Sequence, residues 1–325
     1  MRRREFFGVL GGAAAAWPVA ASAQRRDRMQ RVGILMGLSA GDSEGQRWLN
    51  RFIQTLRELG WRNGTNVQID LRWAGDIDKM RTAATELVEL QPDLIHVTTA
   101  LATAEVLRQT RTIPVVFNVV NDPVALRFTE SGNATGFTNI APDLGEKWLE
   151  LLKEIAPRIT RAVMLFNPVP GSRFEGRLVQ LQGSAKSLGI TLEATPVRDI
   201  AEIEKTIAAL GQDSQAGFIL IPDPFFNLTR SGLISSLASR YRVVAVYPAR
   251  DFVLADGLVS YAVDVPDLQR RAAGYADRIL KGEALSNLPV EVPNKFELVI
   301  NLRSAKAIGL TVPPALLARA SEVIE

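Results

Sequence analysis

Ser39, Thr98, Thr99, Asn121, Asp122, Asn167, Asp223, Tyr247 and Tyr261 stand where short apolar runs rich in Val and Ile give way to polar residues, and Thr138, after Gly136-Phe137, joins them as a candidate. Parallel sheets bind ligands outside the carboxyl ends of their strands, so these are the positions where chemistry is expected. Hydroxyls, amides and phenols with a few carboxylates suit the holding of a small polar molecule better than its transformation. Ser39, Thr98 and Thr99 fall between a strand and a helix, where hydroxyls and free backbone N–H groups can hold a carboxylate at the positive helix end; the same positions also suit plain helix N-caps. Asp122 and Asp223 precede prolines. Either could accept from an ammonium group or start a turn, and Asp122 reads as the turn residue, Asp223 as the ligand residue. Tyr247 and Tyr261 could stack on a ligand ring or pack at a sheet edge.

The remaining inventory narrows the chemistry. The sequence has no cysteine and one histidine, His96, inside an apolar run. That removes disulfides, thiol nucleophiles and cysteine or histidine metal sites, along with Ser-His-Asp and Cys-His arrangements. His96 reads as a core residue. The spacing Gly37-x-x-x-Gly41-x-x-x-Gly45 is neither a dinucleotide fingerprint nor a Walker loop, so no cofactor is expected. Sequons at Asn63, Asn133 and Asn227 carry no glycosylation meaning behind a bacterial-type leader.

That leader is Met1-Arg2-Arg3-Arg4-Glu5-Phe6-Phe7, an uncharged run to Ala23, and the exit Ala21-Ser22-Ala23. It is too short to span a bilayer and has the form of a signal peptide over residues 1–23. The paired arginines and following phenylalanines fit a twin-arginine signal, with an arginine-rich Sec signal as the alternative. The formal charge of +3 falls to +1 once Arg2, Arg3, Arg4 and Glu5 leave with it. Such a chain offers no global attraction to nucleic acid or anionic lipid. The expected product is a soluble periplasmic monomer.

From Arg31 the pattern is βαβα. Strands are expected at Val32–Met36, Val67–Trp73, Leu94–Val97 and Ile113–Phe117, with helices around Trp48–Leu59, Met80–Leu90 and Ala102–Thr110; Gly60 takes a left-handed helix-end position. A second series begins after Gly136: helices Leu144–Ile155, Phe174–Leu188, Ile200–Leu210 and Leu228–Tyr241 alternate with strands Ala162–Phe166, Ile190–Thr195, Gly217–Ile221 and Val243–Val246. Gly257–Tyr261 then reads as a strand, Leu268–Leu280 as a helix, and beyond Pro289 there are only short apolar patches. The length exceeds one comfortable core, so the fold class is α/β with two Rossmann-like doubly wound lobes.

Gln91-Pro92-Asp93-Leu94-Ile95, Ile113-Pro114-Val115-Val116-Phe117, Asn121-Asp122-Pro123-Val124, Gly132-Asn133-Ala134-Thr135-Gly136-Phe137, Lys147-Trp148-Leu149-Glu150-Leu151-Leu152, Gly257-Leu258-Val259-Ser260-Tyr261, Arg278-Ile279-Leu280-Lys281-Gly282, Leu288-Pro289-Val290-Glu291 and Lys295–Leu302 occur in this order. In this the chain resembles the ABC-transporter substrate-binding proteins of the tryptophan/tyrosine-type branch. The resemblance implies a type I periplasmic binding fold whose lobes are joined by three crossovers, near Thr138–Asp143, Ala262–Asp264 and Leu288–Pro293. Lobe I would be 31–140 plus 263–290, and lobe II 141–262 plus 291–325. It also implies an interlobe cleft for a small ligand, with Asp223 facing Ser39 and Thr98, and transient partnership with an ABC permease and its ATPase subunits. The alternatives are a ligand sensor or a non-metal enzyme on the same fold. Thr98-Thr99-Ala100 replaces the family's Gly-Thr-small stretch and Tyr261-Ala262 its Tyr-Gly, so the implied aromatic ligand does not follow directly.

Overall fold

In the computed structural model, which describes residues 29–141, 143–168, 174–222, 226 and 230–325, the apolar runs form strands and the amphipathic stretches helices. The leader, Asp223 and the Asn227 sequon lie outside the described residues. In chain order the elements are β1 (Gln30–Met36), α1 (Ser43–Glu58), β2 (Val67–Trp73), α2 (Ile77–Glu89), β3 (Leu94–Thr98), α3 (Ala100–Gln109), β4 (Val115–Val120), β5 (Ala134–Thr138), α4 (Leu144–Ile155), β6 (Arg161–Phe166) and α5 (Phe174–Ser187). They continue with β7 (Thr191–Pro196), α6 (Ile200–Leu210), β8 (Ala216–Leu220), α7 (Ser231–Arg240), β9 (Val244–Tyr247), α8 (Arg250–Leu254), β10 (Val259–Val263), α9 (Val265–Leu280), β11 (Phe296–Asn301), α10 (Leu302–Ala307), α11 (Pro314–Arg319) and β12 (Glu322–Ile324). The chain divides into two compact units. One takes the described residues up to Asn139 with Val265–Glu291, the other Ile140–Asp264 with Val292–Glu325.

The first unit is a parallel sheet in the order β2-β1-β3-β4-β5. A parallel sheet is stable only when both faces are covered. Here α2 and α3 bring Met80, Leu87, Val106 and Leu107 against Leu35, Val97, Val115 and Phe117 on one face, while α9 packs against α1, β3, β4 and β5. Helix starts are fixed locally: Asp42 and Asp76 accept from the amides of Gly45 and Lys79, which satisfies donors that the helix leaves open. Gly60 follows α1 at φ 97°.

The sequence passes over β5, because Gly132–Phe137 is too rich in small and polar residues to read as a strand. Its pairing depends on Gly136, where an added Cβ would lie 2.0 Å from the Phe117 carbonyl oxygen. The register of β4 against β5 shifts between Phe117 and Val120. Thr138 is the last residue of this strand.

The second unit holds a sheet in the order β12-β11-β10-β9-β8-β6-β7. Its strands are parallel except at the β10–β11 junction, which is antiparallel. The patches beyond Pro289 thus extend the sheet by β11 and β12 and add α10 and α11. One face is covered by α4, α5, α10 and α11, through residues such as Trp148, Leu152, Leu181, Ala305 and Leu316. The other is covered by α6, α7 and α8, through Ile203, Ile207, Ile234, Leu237 and Phe252.

His96 lies in the middle of β3, fully buried, its ring stacked on Phe52 with centroids 4.0 Å apart. Its Nδ1 is 3.1 Å from the Val116 carbonyl oxygen and its Nε2 is 2.8 Å from Oε1 of Gln269 on α9. A neutral imidazole donates from only one nitrogen. With Nδ1 donating to Val116, the Gln269 amide turns to donate to Nε2, which also gives a partner to a nitrogen that has none among the described residues. Burial lowers the pKa of His96 to about 4, against the hydrogen bonds to Gln269 and Val116. The unfolded chain, at about 6.5, binds the proton more readily, so the stability that the neutral ring contributes is complete above about pH 6.5 and is lost as the pH falls from there towards 4. The loss is on the order of 3 kcal/mol. Urea midpoints measured from pH 7.5 to 4.5 should fall more steeply for the native chain than for His96→Gln, and parallel slopes would contradict a neutral buried ring.

Candidate functional site

The carboxyl edge of the first sheet gathers Ser39, Thr98, Thr99, Asn121, Asp122 and Thr138 within one unit. Thr98 closes β3 and is fully buried; its Oγ1 accepts from the Gly37 amide, just beyond β1, at 2.9 Å. Only glycine permits that approach, since a Cβ at Gly37 would lie 2.6 Å from the Thr98 carbonyl oxygen and 2.2 Å from Thr99 Oγ1. Having accepted, the Thr98 hydroxyl retains a proton to donate. Thr99 N-caps α3, its Oγ1 reaching the Ala102 amide at 3.5 Å, with its backbone at φ 74° and ψ 150°. That region belongs essentially to glycine and costs another residue about 1–3 kcal/mol. The strain is held by three bonds: the Thr99 amide donates to the Asn118 carbonyl at 3.0 Å, and the Thr103 amide and hydroxyl donate to the Thr99 carbonyl at 3.1 and 2.7 Å.

A second departure adjoins the first. Val119 has φ 58°, unusual for a β-branched residue, and its amide donates to the side-chain oxygen of Asn118 at 2.8 Å. That bond fixes the orientation of the Asn118 amide, whose Nδ2 is buried with no partner among the described residues. An unsatisfied buried donor costs about 1–3 kcal/mol. Strain and an unmet donor therefore meet where β3 and β4 end, beside the positive end of α3. Sequence reasoning missed Asn118 and Val119, and its one available signal was an amide inside the apolar run Val115–Val120.

The other expected residues divide. Ser39 and Asn121 are exposed on this edge. Asp122 acts in its turn, Oδ1 accepting from the Ala125 amide at 2.9 Å. Thr138 is buried at the end of β5, and its amide donates to the Glu291 carbonyl.

In the second unit Asn167 follows β6, half-buried. Tyr247 is the last residue of β9 and has no exposed surface: its ring stacks on Phe252 at 5.0 Å and meets Phe218 edge-on at 5.9 Å. Burial pushes its phenol well up from the ordinary value, which the neighbouring Ser235 hydroxyl only partly offsets. Core packing occupies the ring, so it presents no face to a ligand. Tyr261 lies within β10 rather than beyond it and stacks on Phe296 at 5.4 Å, while its carbonyl accepts from Trp148 Nε1 at 2.7 Å. The pair floors a groove of about 390 Å³ rimmed by Lys147, Glu150, Glu154 and Arg319. A cavity of about 300 Å³ lies at the start of α4, against Leu144, Trp148, Leu181, Ile221 and Pro222.

Among the described residues no group of His, Asp and Glu side chains is arranged to hold a metal ion, and no helix is long and apolar enough to cross a membrane. What the first edge offers is donors: the exposed Ser39 and Asn121 and the N–H groups of the first turn of α3. If the strain at Thr99 serves binding and not folding, Thr99→Gly should raise the denaturation midpoint, by about 1 kcal/mol after the entropy cost of glycine. Thr99→Ala, which keeps the strained backbone, should not. A midpoint lowered by Thr99→Gly would contradict the strain.

Solved structures share the architecture. A conserved domain protein from Vibrio cholerae matches with a TM-score of 0.75 and 24% identity over 91% of this chain and 100% of its own. The ABC domain of Streptococcus pneumoniae crystallised with L-Trp matches at 0.73 and 22%, over 91% and 100%. A ligand-free, open substrate-binding protein with adhesive properties from Clostridium difficile matches at 0.74 and 20%, over 91% and 99%. At these identities the likeness is one of fold. In sequence, a tyrosine-binding protein of Clostridioides difficile (strain R20291) is 22% identical over 267 residues, covering 80% of this chain and 75% of that protein. The model of the ABC transporter substrate binding protein family matches residues 42–324, and the chain belongs to that family.

Proposed function

We propose that this family member is the extracytoplasmic receptor of an ABC importer, and that its solute is a small amino acid-like molecule carrying a carboxylate. The observation that carries the reading is the donor-rich carboxyl edge of the first sheet, where the Thr98–Thr99 turn, Ser39 and Asn121 meet the N-terminus of α3. A carboxylate there would gain charge-assisted hydrogen bonds and the favourable end of the helix dipole. The L-Trp in one fold relative and the printed name of the tyrosine-binding relative support an aromatic side chain on that solute. Thr98-Thr99-Ala100 in place of the family's glycine-containing stretch makes a shifted preference within that class equally consistent.

We infer the rest of the role from what family and sequence support. The leader Arg2–Ala23 directs export and is removed near Ala23, leaving a soluble protein that meets its permease as a single copy, the permease being driven by an ATPase. It binds its solute without chemical change.

Thermal denaturation of the purified chain tests the reading directly. Among L-tyrosine, L-tryptophan, aliphatic amino acids, aromatic acids, nucleobases and sugars, an amino acid should stabilise it. At 100 times its dissociation constant a ligand adds about 2.7 kcal/mol, a shift of several degrees for a protein of this size. Stabilisation by sugars or nucleobases alone would overturn the carboxylate assignment, and stabilisation by none would overturn the receptor role for this class of solute.

A further inference from the structure

The chain passes between its units at Asn139/Ile140, Asp264/Val265 and Glu291/Val292. Inside the first unit, the end of the first passage and the start of the third are paired. Phe137 forms a parallel bridge with Glu291, the Thr138 amide donates to the Glu291 carbonyl at 2.9 Å, and the Glu291 amide donates to the Gly136 carbonyl at 3.0 Å. Inside the second unit, the third passage is paired with the second instead: the Asp264 amide donates to the Lys295 carbonyl at 3.0 Å, and Val263 opposes Phe296 in the antiparallel β10–β11 ladder. The third passage is thus tied to a different neighbour at each end.

The first of these ties has side-chain support from α9. The Glu291 carboxylate accepts from the Arg271 guanidinium and, at 2.5 Å, from the Tyr275 phenol, both on α9. The Arg271 guanidinium lies 4.9 Å from the centre of the Phe137 ring, and the Tyr275 ring lies 4.8 Å from it. The phenol oxygen is also 2.9 Å from the Pro289 carbonyl, so its one proton goes to an acceptor of the third passage in either case. Partial burial opposes ionisation of Glu291, but the bonds from Tyr275 and Arg271 outweigh it and hold the carboxyl below its ordinary value. Burial first, and the adjacent carboxylate second, push the Tyr275 phenol up, keeping it a donor. And α9 itself begins at Val265, where the second passage ends.

We propose that Glu291 is the pin of a junction inside the first unit: with Arg271 and Tyr275, its carboxylate fastens the Phe137–Thr138 end of the first passage and the start of the third to α9, so that the two loosen together and not one by one. Glu291 is a positioning residue in this role; Arg271 and Tyr275 hold its carboxylate and also meet Phe137 directly.

Hydrogen exchange of the whole chain, with no solute added, tests this independently of the receptor reading. The informative amides are those of Thr138 and Glu291, which make the bridge. Removing a grip that lies on neither passage, by Arg271→Met or Tyr275→Phe, should speed exchange at both amides together, by about tenfold or more. The β1 and β3 amides should keep native protection. Glu291→Gln, which leaves the contacts of Arg271 and Tyr275 with Phe137 and of Tyr275 with Pro289 in place, should also speed both amides, and Arg271→Lys should recover part of the protection that Arg271→Met loses. Unchanged exchange at the two amides would overturn the proposal. So would loosening of only one of them, or a uniform rise through β1 and β3, which would make the cluster ordinary fold stabilisation.

Discussion

The hydrogen bond from the Gly37 amide to the Thr98 hydroxyl joins the ends of β1 and β3, and the site side of the first unit depends on it. Parallel strands exhaust their ladder at the carboxyl edge, and each backbone group beyond it needs another partner. At β1 that partner is a side chain, which is possible only because residue 37 has no Cβ. With the strand ends held this close, Thr99 must turn into α3 through a conformation that threonine disfavours, and its amide goes to Asn118. The position of α3, and so of the donors at its first turn, follows from that one short link.

Both units spend polar groups differently. In the first, hydroxyls and amides cluster at the carboxyl edge and the histidine is sealed inside. In the second, Tyr247 is absorbed into the core with Phe218 and Phe252, while Tyr261 stacks on Phe296 and stays half-buried at the floor of a groove. A tyrosine adjoining an apolar run looks the same in sequence whether the strand ends before it or carries it inward. Strand length decided here, since β9 and β10 each run further than the apolar pattern indicates.

The fold was largely legible because buried parallel strands must be continuous apolar runs and the covering helices must carry a stripe. Helices Leu144–Ile155 and Ile200–Leu210 occur with the bounds their periodicity implies. What escaped was local or non-local by nature. In β5, Ala134, Thr135 and Gly136 carry no apolar signal, and the strand is made by its fit to Phe117. The reversed direction of β11 depends on a crossover that no local pattern records. At the site, the hydroxyls could be placed at strand ends from spacing alone, whereas the positive φ of Thr99 and Val119 and the unmet amide of Asn118 arise only when β3 and β4 are in register. The Glu291 cluster unites residues more than a hundred positions from Phe137, a distance over which side-chain spacing carries no information.

The central claim is that solute is read at the carboxyl edge of the first sheet, by groups that the Gly37–Thr98 link positions. A crystal structure of the chain with the amino acid that stabilises it most would test this directly. The account predicts the solute carboxylate within hydrogen-bond distance of the first turn of α3 and of Ser39, Thr99 or Asn121. A solute seated elsewhere, such as in the groove floored by Tyr261 and Phe296 with the Thr98–Thr99 turn untouched, would contradict it.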